Sequence, residues 1–210
     1  KLIDMHGGIK NIIFDLGGVI YAIDYHKTII AFKNLGIKNF DQLFAKAGQQ
    51  NLFDDLETGV ISKSEFFAEI NLLVQDSLTD QQITEAWNAM LLQFIPEALA
   101  CLDEISSDYR LFLLSNTNEI HIEFILHQVG PKNFKSFCAR FEKVYLSHEI
   151  GKRKPNTEVF DYIIKEKDLK KSETLFIDDS IQHVQGGIKA GLESYHLDQG
   201  ASISSFFRED

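Results

Sequence analysis

Phe14-Asp15-Leu16-Gly17-Gly18-Val19-Ile20 closes a short apolar run that begins at Asn11. Residues 11–14 are too few for a helix, and they indicate a buried strand of a parallel sheet that ends before the two glycines. Such a strand delivers the carboxylate of Asp15 to a loop with an accessible backbone. Asp15 is therefore a candidate nucleophile.

Similar apolar runs recur in the second half of the chain, where they alternate with segments of helical pattern. The runs predict strands at residues 110–114, 143–146, 174–177 and 193–197. Helices are expected between them, at residues 119–129, 157–167 and 183–190. This alternation is typical of a right-handed, doubly wound α/β core built on a parallel sheet.

The segment between these two parts has a different character. Residues 24–95 contain no convincing strand pattern and indicate several amphipathic helices. Capping boxes mark two helix starts, in Ser62-Lys63-Ser64-Glu65 and in Thr79-Asp80-Gln81-Gln82. We therefore predict a core domain of residues 1–23 and 96–210 and an inserted α-helical cap of residues 24–95.

The composition is that of a soluble globular protein with an acidic surface. The 210 residues are 44% hydrophobic and carry a formal net charge of −10. This charge repels nucleic acids and acidic membranes, so neither is expected as a partner. The sequence has no apolar run of membrane-spanning length and no signal pattern, and its two cysteines lack metal-ligand spacing. We expect a cytoplasmic protein with free thiols, either a monomer or a weak homodimer.

Four polar residues lie at or shortly after the carboxyl ends of predicted strands: Asp15, Ser115, Lys154 and Asp178. In an open parallel sheet these ends face a common crevice, where loops approach a ligand. We therefore expect the four side chains to meet, although they are far apart in the sequence.

The chemistry expected of Asp15 is attack on a phosphoryl group. Its carboxylate can form an aspartyl-phosphate, which divides one displacement into two easier steps. Because the nucleophile and the substrate are both anionic, the negative charge has to be neutralised. Asp15 and the adjacent pair Asp178 and Asp179 offer the hard oxygen ligands that Mg²⁺ prefers.

The remaining residues of the set suit the phosphate itself. Lys154 can place a compact positive charge beside the transferring oxygens and Asp15. Ser115, with the backbone N–H groups around Asn116 and Thr117, can hold a phosphate oxygen at a helix start. We therefore assign phosphate binding to Ser115, Asn116 and Lys154.

Taken in order, the segments around Asp15, Ser115, Lys154 and Asp178 resemble the four motifs of the haloacid dehalogenase (HAD) superfamily of phosphohydrolases. The Asp-Leu-Gly-Gly-Val-Ile start and the helical insert are most similar to a subgroup that includes phosphatases of glucose 1-phosphate. The resemblance implies a Rossmann-like core under a helical cap. It also implies that Asp15 is the nucleophile, that Ser115 binds phosphate and that Lys154 is the lysine of the third motif. Asp178 and Asp179 would serve the metal directly or through water.

One position departs from the family's pattern. Most phosphatases of the superfamily carry a second Asp two residues after the nucleophile as general acid and base, and this chain has Gly17 there. The resemblance implies that the carbonyl of Gly17 still binds the metal, but a glycine cannot protonate a leaving group. A positioned acid contributes roughly 10²–10⁴ in rate. Turnover is therefore slow, or a substitute acts: Asp24, His26, a cap side chain or a water.

Other charged residues near the motifs have ordinary structural interpretations. Lys152 and Arg153 are expected to be peripheral. Asp54, Asp55 and Glu57 are expected on a solvated face of the cap, with contact to a substrate hydroxyl as the alternative. No histidine has metal-ligand spacing, and a place at the surface or behind the site is expected for His121, His127, His148 and His183.

These observations predict a Mg²⁺-dependent phosphatase of small phosphorylated metabolites, with a sugar phosphate as the favoured substrate. Two alternatives stay open. In a 2-haloacid dehalogenase Asp15 would attack carbon without a metal, and the pair Asp178 and Asp179 would have no purpose. A catalytically silent phosphate-binding regulatory protein would account for Gly17.

Overall fold

Two sheets form the framework of the molecule. The computed structural model describes residues 8–37, 39–49, 51–74 and 77–207. The strands are β1 (Asn11–Phe14), β2 (Tyr21–Ile23), β3 (Leu91–Phe94), β4 (Arg110–Ser115), β5 (Lys143–Leu146), β6 (Thr174–Asp178) and β7 (Glu193–His196). β2 and β3 form an antiparallel ribbon, and the other strands pair in parallel in the order β5-β4-β1-β6-β7. The strand order reverses at β1, which opens a crevice at the carboxyl ends.

The helices fall into two groups. The insert contains α1 (Tyr25–Asn34), α2 (Phe40–Gln49), α3 (Leu52–Glu57), α4 (Lys63–Val74) and α5 (Asp80–Asn88). The main sheet is accompanied by α6 (Pro96–Ile105), α7 (Glu119–Val129), α8 (Pro131–Cys138), α9 (Ser147–Ile150), α10 (Thr157–Glu166), α11 (Ile181–Lys189) and α12 (Ile203–Phe207). Among the described residues, no helix combines the length and apolar character needed to cross a membrane. Both cysteines are free thiols.

Helices cover both faces of the main sheet. Ile12 and Phe14 of β1 belong to one apolar cluster, which includes Leu102 of α6. Ile13 points to the other face and belongs to a second cluster with Phe160 of α10. Because neighbouring side chains of a strand point to opposite faces, a strand that is apolar throughout requires cover on both sides. The predicted doubly wound α/β fold is confirmed.

The predicted elements of the core agree with the structure to within two residues at each boundary. Both predicted capping boxes are also present. The N–H of Ser62 donates to Glu65 Oε2 over 2.7 Å, and the N–H of Glu65 donates back to Ser62 Oγ over 3.3 Å. Thr79 and Gln82 make the same reciprocal pair before α5. These local signals fix the starts of α4 and α5 because each satisfies two N–H groups that lack partners within the helix.

Neither strand of the ribbon, β2 or β3, was predicted from the sequence pattern. In the ribbon, Tyr21 lies opposite Phe94. β3 has only four residues and its partner lies far away in the chain, so local periodicity carries little sign of it. The ribbon brings the two ends of the insert side by side. The division between the core and a cap of residues 24–95 stays a prediction.

Candidate active site

Three polar side chains lie where central strands of the main sheet end. β4 and β6 pair with β1 in parallel, one on each side, so the carboxyl ends of the three strands meet at one edge. Asp15 follows β1, while Ser115 and Asp178 are the last residues of β4 and β6. All three are buried. The topology therefore brings together Asp15, Ser115 and Asp178, which lie at least 60 residues apart in the sequence.

Lys154 is the centre of this group. Its side chain is fully buried, and its Nζ lies 2.6 Å from Asp15 Oδ1 and 2.6 Å from Asp178 Oδ2. The same nitrogen donates to the carbonyl of Leu114 over 3.0 Å. These contacts use the three donors of the ammonium group, so Lys154 is held in one position.

The backbone of Lys154 is anchored by Asn116. The side-chain amide of Asn116 donates to the carbonyl of Lys154 over 2.9 Å, and its Oδ1 accepts from the Lys154 N–H over 2.9 Å. Asn116 was predicted to bind phosphate. In the structure it also lines the cavity described below, while its side chain joins the loop after β4 to the loop that carries Lys154.

Burial and charge act in opposite directions on the two carboxylates around Lys154. Burial raises the pKa of Asp15, and Lys154 offsets this only in part because Asp178 adds to the rise. Burial opposes ionisation of Asp178 as well, but Lys154 and His183 outweigh it and lower the pKa of Asp178. Burial lowers the pKa of Lys154, and the two carboxylates more than compensate, so its pKa is raised. One ammonium group thus contacts two buried carboxylates. The negative charge that it does not neutralise favours the binding of a further cation.

Asp179 lies beside the glycine pair of the first loop. A Cβ atom on Gly18 would lie 2.0 Å from Asp179 Oδ2, and Gly18 has a φ of +73°. Both facts require glycine at this position, since a side chain would displace Asp179 and strain the backbone. The glycine pair noted in the sequence therefore makes room for the second acid of the pair.

Asp15, Asp178 and Asp179 are arranged in a way that suits a metal ion. One carboxylate oxygen of each lies within 4.8 Å of the other two. Burial raises the pKa of Asp179, and the charge of Asp178 raises it further. Three acids beside a single ammonium leave an excess of negative charge, and carboxylate oxygens are the ligands that Mg²⁺ prefers. The donor set fits a divalent cation.

The loop after β4 provides the phosphate side of the site. Ser115 and Thr117 line the cavity. Asn118 caps α7 by accepting from the N–H of His121 over 3.0 Å. The N–H of Thr117 donates to Ser147 Oγ over 2.9 Å. This N–H was predicted to bind phosphate, but it already has a partner within the protein.

A cavity of about 460 Å³ lies over these residues. Its base contains Asp15, Gly17, Ser115, Asn116 and Asp179. The wall contributed by the described residues of the insert consists of Tyr25, Phe53, Glu57, Trp87, Met90 and Leu91. The volume suits a small metabolite, since ligand pockets commonly measure about 300–1,000 Å³.

Arg153 lines the cavity, so the prediction of a peripheral position for it is wrong. Its Nη1 lies 2.6 Å from Asp54 Oδ1, and its Nη2 lies 2.8 Å from Glu57 Oε2. The prediction of a solvated position for Glu57 is also wrong, because this side chain is largely buried and lines the cavity. The sequence signal for this contact was the basic residue directly before Lys154. Its acidic partner Glu57 lies 96 residues away in the chain, so the local sequence does not reveal the pairing.

Two histidines also line the cavity. His121 is buried, its Nδ1 lies 2.8 Å from Asn88 Oδ1, and its ring stacks on Trp87 with centroids 5.4 Å apart. Burial lowers the pKa of His121 to about 3, so the ring is neutral at physiological pH. His183 Nδ1 lies 3.1 Å from both carboxylate oxygens of Asp178. It therefore fixes the orientation of that carboxylate.

The two named candidates for the missing acid lie elsewhere. Asp24 caps α1, where its Oδ1 accepts from the N–H of His26 over 3.0 Å. His26 is exposed. Neither residue is among those that line the cavity. Of the predicted substitutes, a cap side chain or a water remains.

The sequence profile of the haloacid dehalogenase-like hydrolases matches residues 9–191. A D-ribitol-5-phosphate phosphatase from Bacteroides thetaiotaomicron is 34% identical over 193 residues, which cover 92% of this chain and 94% of that protein.

Solved structures extend the likeness to the fold. A HAD family enzyme from Bacteroides thetaiotaomicron, in complex with magnesium and inorganic phosphate, superposes with a TM-score of 0.84 at 32% identity, over 96% of this chain and 100% of that one. A HAD-like family hydrolase from Porphyromonas gingivalis superposes with a TM-score of 0.82 at 35% identity, over 97% and 100% of the two chains.

Proposed function

This chain belongs to the haloacid dehalogenase-like hydrolases, and from that premise we propose that it is a Mg²⁺-dependent phosphatase of small phosphorylated metabolites. The observation that carries the proposal is the position of Lys154, whose Nζ lies 2.6 Å from both Asp15 and Asp178. Asp15 in turn lines the cavity. Asp179 completes a cluster of three acids beside this lysine. The relatives that act on a phosphate ester or hold magnesium and phosphate support the same reading.

In the proposed mechanism Asp15 is the nucleophile. One of its carboxylate oxygens attacks phosphorus in line, the bond between phosphorus and the leaving oxygen breaks, and an aspartyl-phosphate forms. A water then attacks the same phosphorus, which releases inorganic phosphate and regenerates the carboxylate. Lys154 favours the ionised form of Asp15 and neutralises charge on the phosphoryl oxygens, while Ser115 donates a hydrogen bond to one of them.

Asp15, Asp178 and Asp179, with the carbonyl of Gly17, would hold Mg²⁺. When bound, the ion neutralises the charge that builds up between an anionic nucleophile and an anionic substrate. His183 keeps Asp178 in one orientation through its 3.1 Å contacts. The leaving oxygen takes its proton from a cap side chain or a water, because Gly17 has no acid to offer.

The substrate we propose is the phosphate ester of a sugar or a related polyol. The cavity holds a group of about this size, and the bacterial relative is a phosphatase of D-ribitol 5-phosphate. The expected cytoplasmic location and the monomeric or weakly dimeric state stay predictions.

The test is phosphate release from D-ribitol 5-phosphate, glucose phosphates and p-nitrophenyl phosphate, with Mg²⁺ or with EDTA. We expect release that requires Mg²⁺ and is lost in Asp15→Asn. Asp161→Asn is the matched control, since Asp161 pairs with Lys171 on the surface, and it should retain activity. Phosphate binding without release would favour the silent regulatory protein. Halide release from a chloroacid in EDTA would favour the dehalogenase.

A further inference from the structure

Arg153 joins the core to helix α3 of the insert by a three-point contact. Its Nη1 lies 2.6 Å from Asp54 Oδ1 and its Nη2 lies 2.8 Å from Glu57 Oε2. Its Nε donates to the same Glu57 oxygen over 3.0 Å. A guanidinium group is a rigid planar fork, so contacts at three nitrogens fix the partners in one geometry.

This geometry leaves half of the Glu57 carboxylate available. Both nitrogens that reach Glu57 contact Oε2, and Oε1 has no hydrogen bond to any residue that the structure describes. Glu57 lines the same cavity as Asp15. A carboxylate oxygen is a strong acceptor, and a ligand that donates a hydrogen bond would satisfy it.

The rest of the wall contributed by the insert carries no charge. Within the described part of residues 24–95, the other residues that line the cavity are Tyr25, Phe53, Trp87, Met90 and Leu91. Glu57 is therefore the one carboxylate on this wall among the described residues. Its charge is balanced by Arg153, so it does not repel the phosphate end of a substrate that lies at Lys154.

We propose that Glu57 is a specificity-determining residue that accepts a hydrogen bond from a hydroxyl of the leaving group, and that Arg153 is the residue that positions it. The proposal rests on the proposed phosphatase function and assigns its leaving group to the polyhydroxylated class. A leaving group without hydroxyls would leave Oε1 buried without a partner. Sites built to bind a hydroxyl reject analogues that lack it for this reason.

The experiment compares three substrates that differ in hydroxyls and in leaving-group quality. D-ribitol 5-phosphate has hydroxyls and a poor leaving group. 1-Pentyl phosphate has the same chain length and a poor leaving group but no other hydroxyl, and p-nitrophenyl phosphate has a good leaving group and no hydroxyl. kcat and KM are measured for the wild type, Glu57→Gln, Glu57→Ala and Arg153→Met.

We expect Glu57→Ala to lower kcat/KM for D-ribitol 5-phosphate roughly 10- to 100-fold, since a hydrogen bond to a charged group is lost. The ratio of kcat/KM for D-ribitol 5-phosphate to kcat/KM for 1-pentyl phosphate should fall by a similar factor. Glu57→Gln and Arg153→Met should shift the ratio in the same direction, because the first removes the charge and the second releases the carboxylate.

Two other outcomes would overturn the proposal. An equal loss for D-ribitol 5-phosphate and 1-pentyl phosphate, with p-nitrophenyl phosphate spared, would identify Glu57 as a proton donor to poor leaving groups. An equal loss for all three substrates would identify it as a purely structural link. Glu123→Gln is the control, since it breaks another ion pair between the insert and the core, Lys63 with Glu123 at 2.8 Å, on the exposed surface.

Failure of the proposed function gives a different result. If the wild type releases phosphate from none of the three substrates, the phosphatase proposal fails and the ratio is undefined. Equilibrium binding of D-ribitol 5-phosphate and 1-pentyl phosphate to the wild type and Glu57→Ala then tests Glu57 directly. Loss of the preference for D-ribitol 5-phosphate in the variant supports the assignment, and equal binding of both ligands by the wild type overturns it.

Discussion

The Nζ of Lys154 lies 2.6 Å from Oδ1 of Asp15, although 139 residues separate them in the chain. The same nitrogen contacts Asp178 at the end of β6 and the carbonyl of Leu114 in β4. A single buried ammonium group therefore joins the ends of the three central strands. Chemistry and stability depend on the same side chain.

Lys154→Met is expected to reduce kcat by at least roughly 10²–10³, since the variant loses the cation that stabilises the transferring phosphoryl group. It should also lower the free energy of unfolding by roughly 3–5 kcal/mol, because two buried carboxylates lose their counter-charge. Initial rates and denaturant titrations measure the two effects. Lys152→Met is the neighbouring control, and a Lys154→Met protein as stable as this control would contradict the prediction.

Gly18→Ala is expected to disturb the metal site. The new Cβ would lie 2.0 Å from Asp179 Oδ2, so Asp179 must move and the Mg²⁺ concentration for half-maximal activity should rise at least about tenfold, as a loss of one charged ligand contact implies. Gly36→Ala separates this effect from backbone strain. Gly36 also has a positive φ, +93°, but no atom of the described residues lies within 4 Å of its added Cβ. Equal Mg²⁺ dependence in the two variants would refute the prediction.

Asp179→Asn should have opposite effects with and without metal. Burial and Asp178 both raise the pKa of Asp179, so removing its charge relieves repulsion in the metal-free protein. We expect the melting temperature in EDTA to rise by about 2–4 °C, which corresponds to about 1 kcal/mol for a protein of this size. Mg²⁺ should raise the melting temperature of the wild type by binding the folded state, and this rise should be smaller in Asp179→Asn. Thermal unfolding with and without Mg²⁺ measures both, and an undiminished Mg²⁺ effect would exclude Asp179 as a ligand.

Burial of His121 is expected to contribute a loss of stability on acidification. Burial lowers the pKa of His121 to about 3, whereas an unfolded histidine titrates near 6.5. The unfolded chain therefore binds a proton below pH ~6.5 that the folded chain excludes until about pH 3. The contribution to stability is complete above pH ~6.5 and is lost as the pH falls through this window.

Denaturant titrations at pH 7, 6 and 5 test this dependence. A single excluded proton gives a slope of up to about 1.4 kcal/mol per pH unit below the unfolded pKa. His121→Gln should reduce the slope, while His127→Gln, at an exposed position, should leave it unchanged. A His121→Gln protein with the slope of the wild type would contradict the assignment.

The part of the structure that the sequence predicts best is the core. Asp15 follows a strand whose residues are all buried, and an uninterrupted apolar run of that length has few other interpretations. Parallel pairing then places Ser115 and Asp178 at the same edge without further information. The capping boxes fix α4 and α5 for a similar reason, since each signal lies within four residues.

The parts that escaped prediction depend on contacts between distant segments. β3 has four residues, and only its pairing with β2, in which Phe94 lies opposite Tyr21, identifies it as a strand. Arg153 and Glu57 each have the local sequence of a solvated residue, and only the packing of α3 against the loop before Lys154 brings them together. The sequence places His121 near the start of a helix, and its N–H is indeed capped by Asn118. Its position in the cavity depends instead on stacking against Trp87, which lies far away in the chain.

Trp87 is the single tryptophan of the chain. It lies in the wall of the cavity and stacks on the rings of Phe53 and His121. The indole emission of this protein therefore arises at one point, where a leaving group would be held. Its intensity and wavelength report the polarity and packing of that point alone. Occupancy of the cavity can thus be followed in the unmodified protein by light, without a label and without turnover.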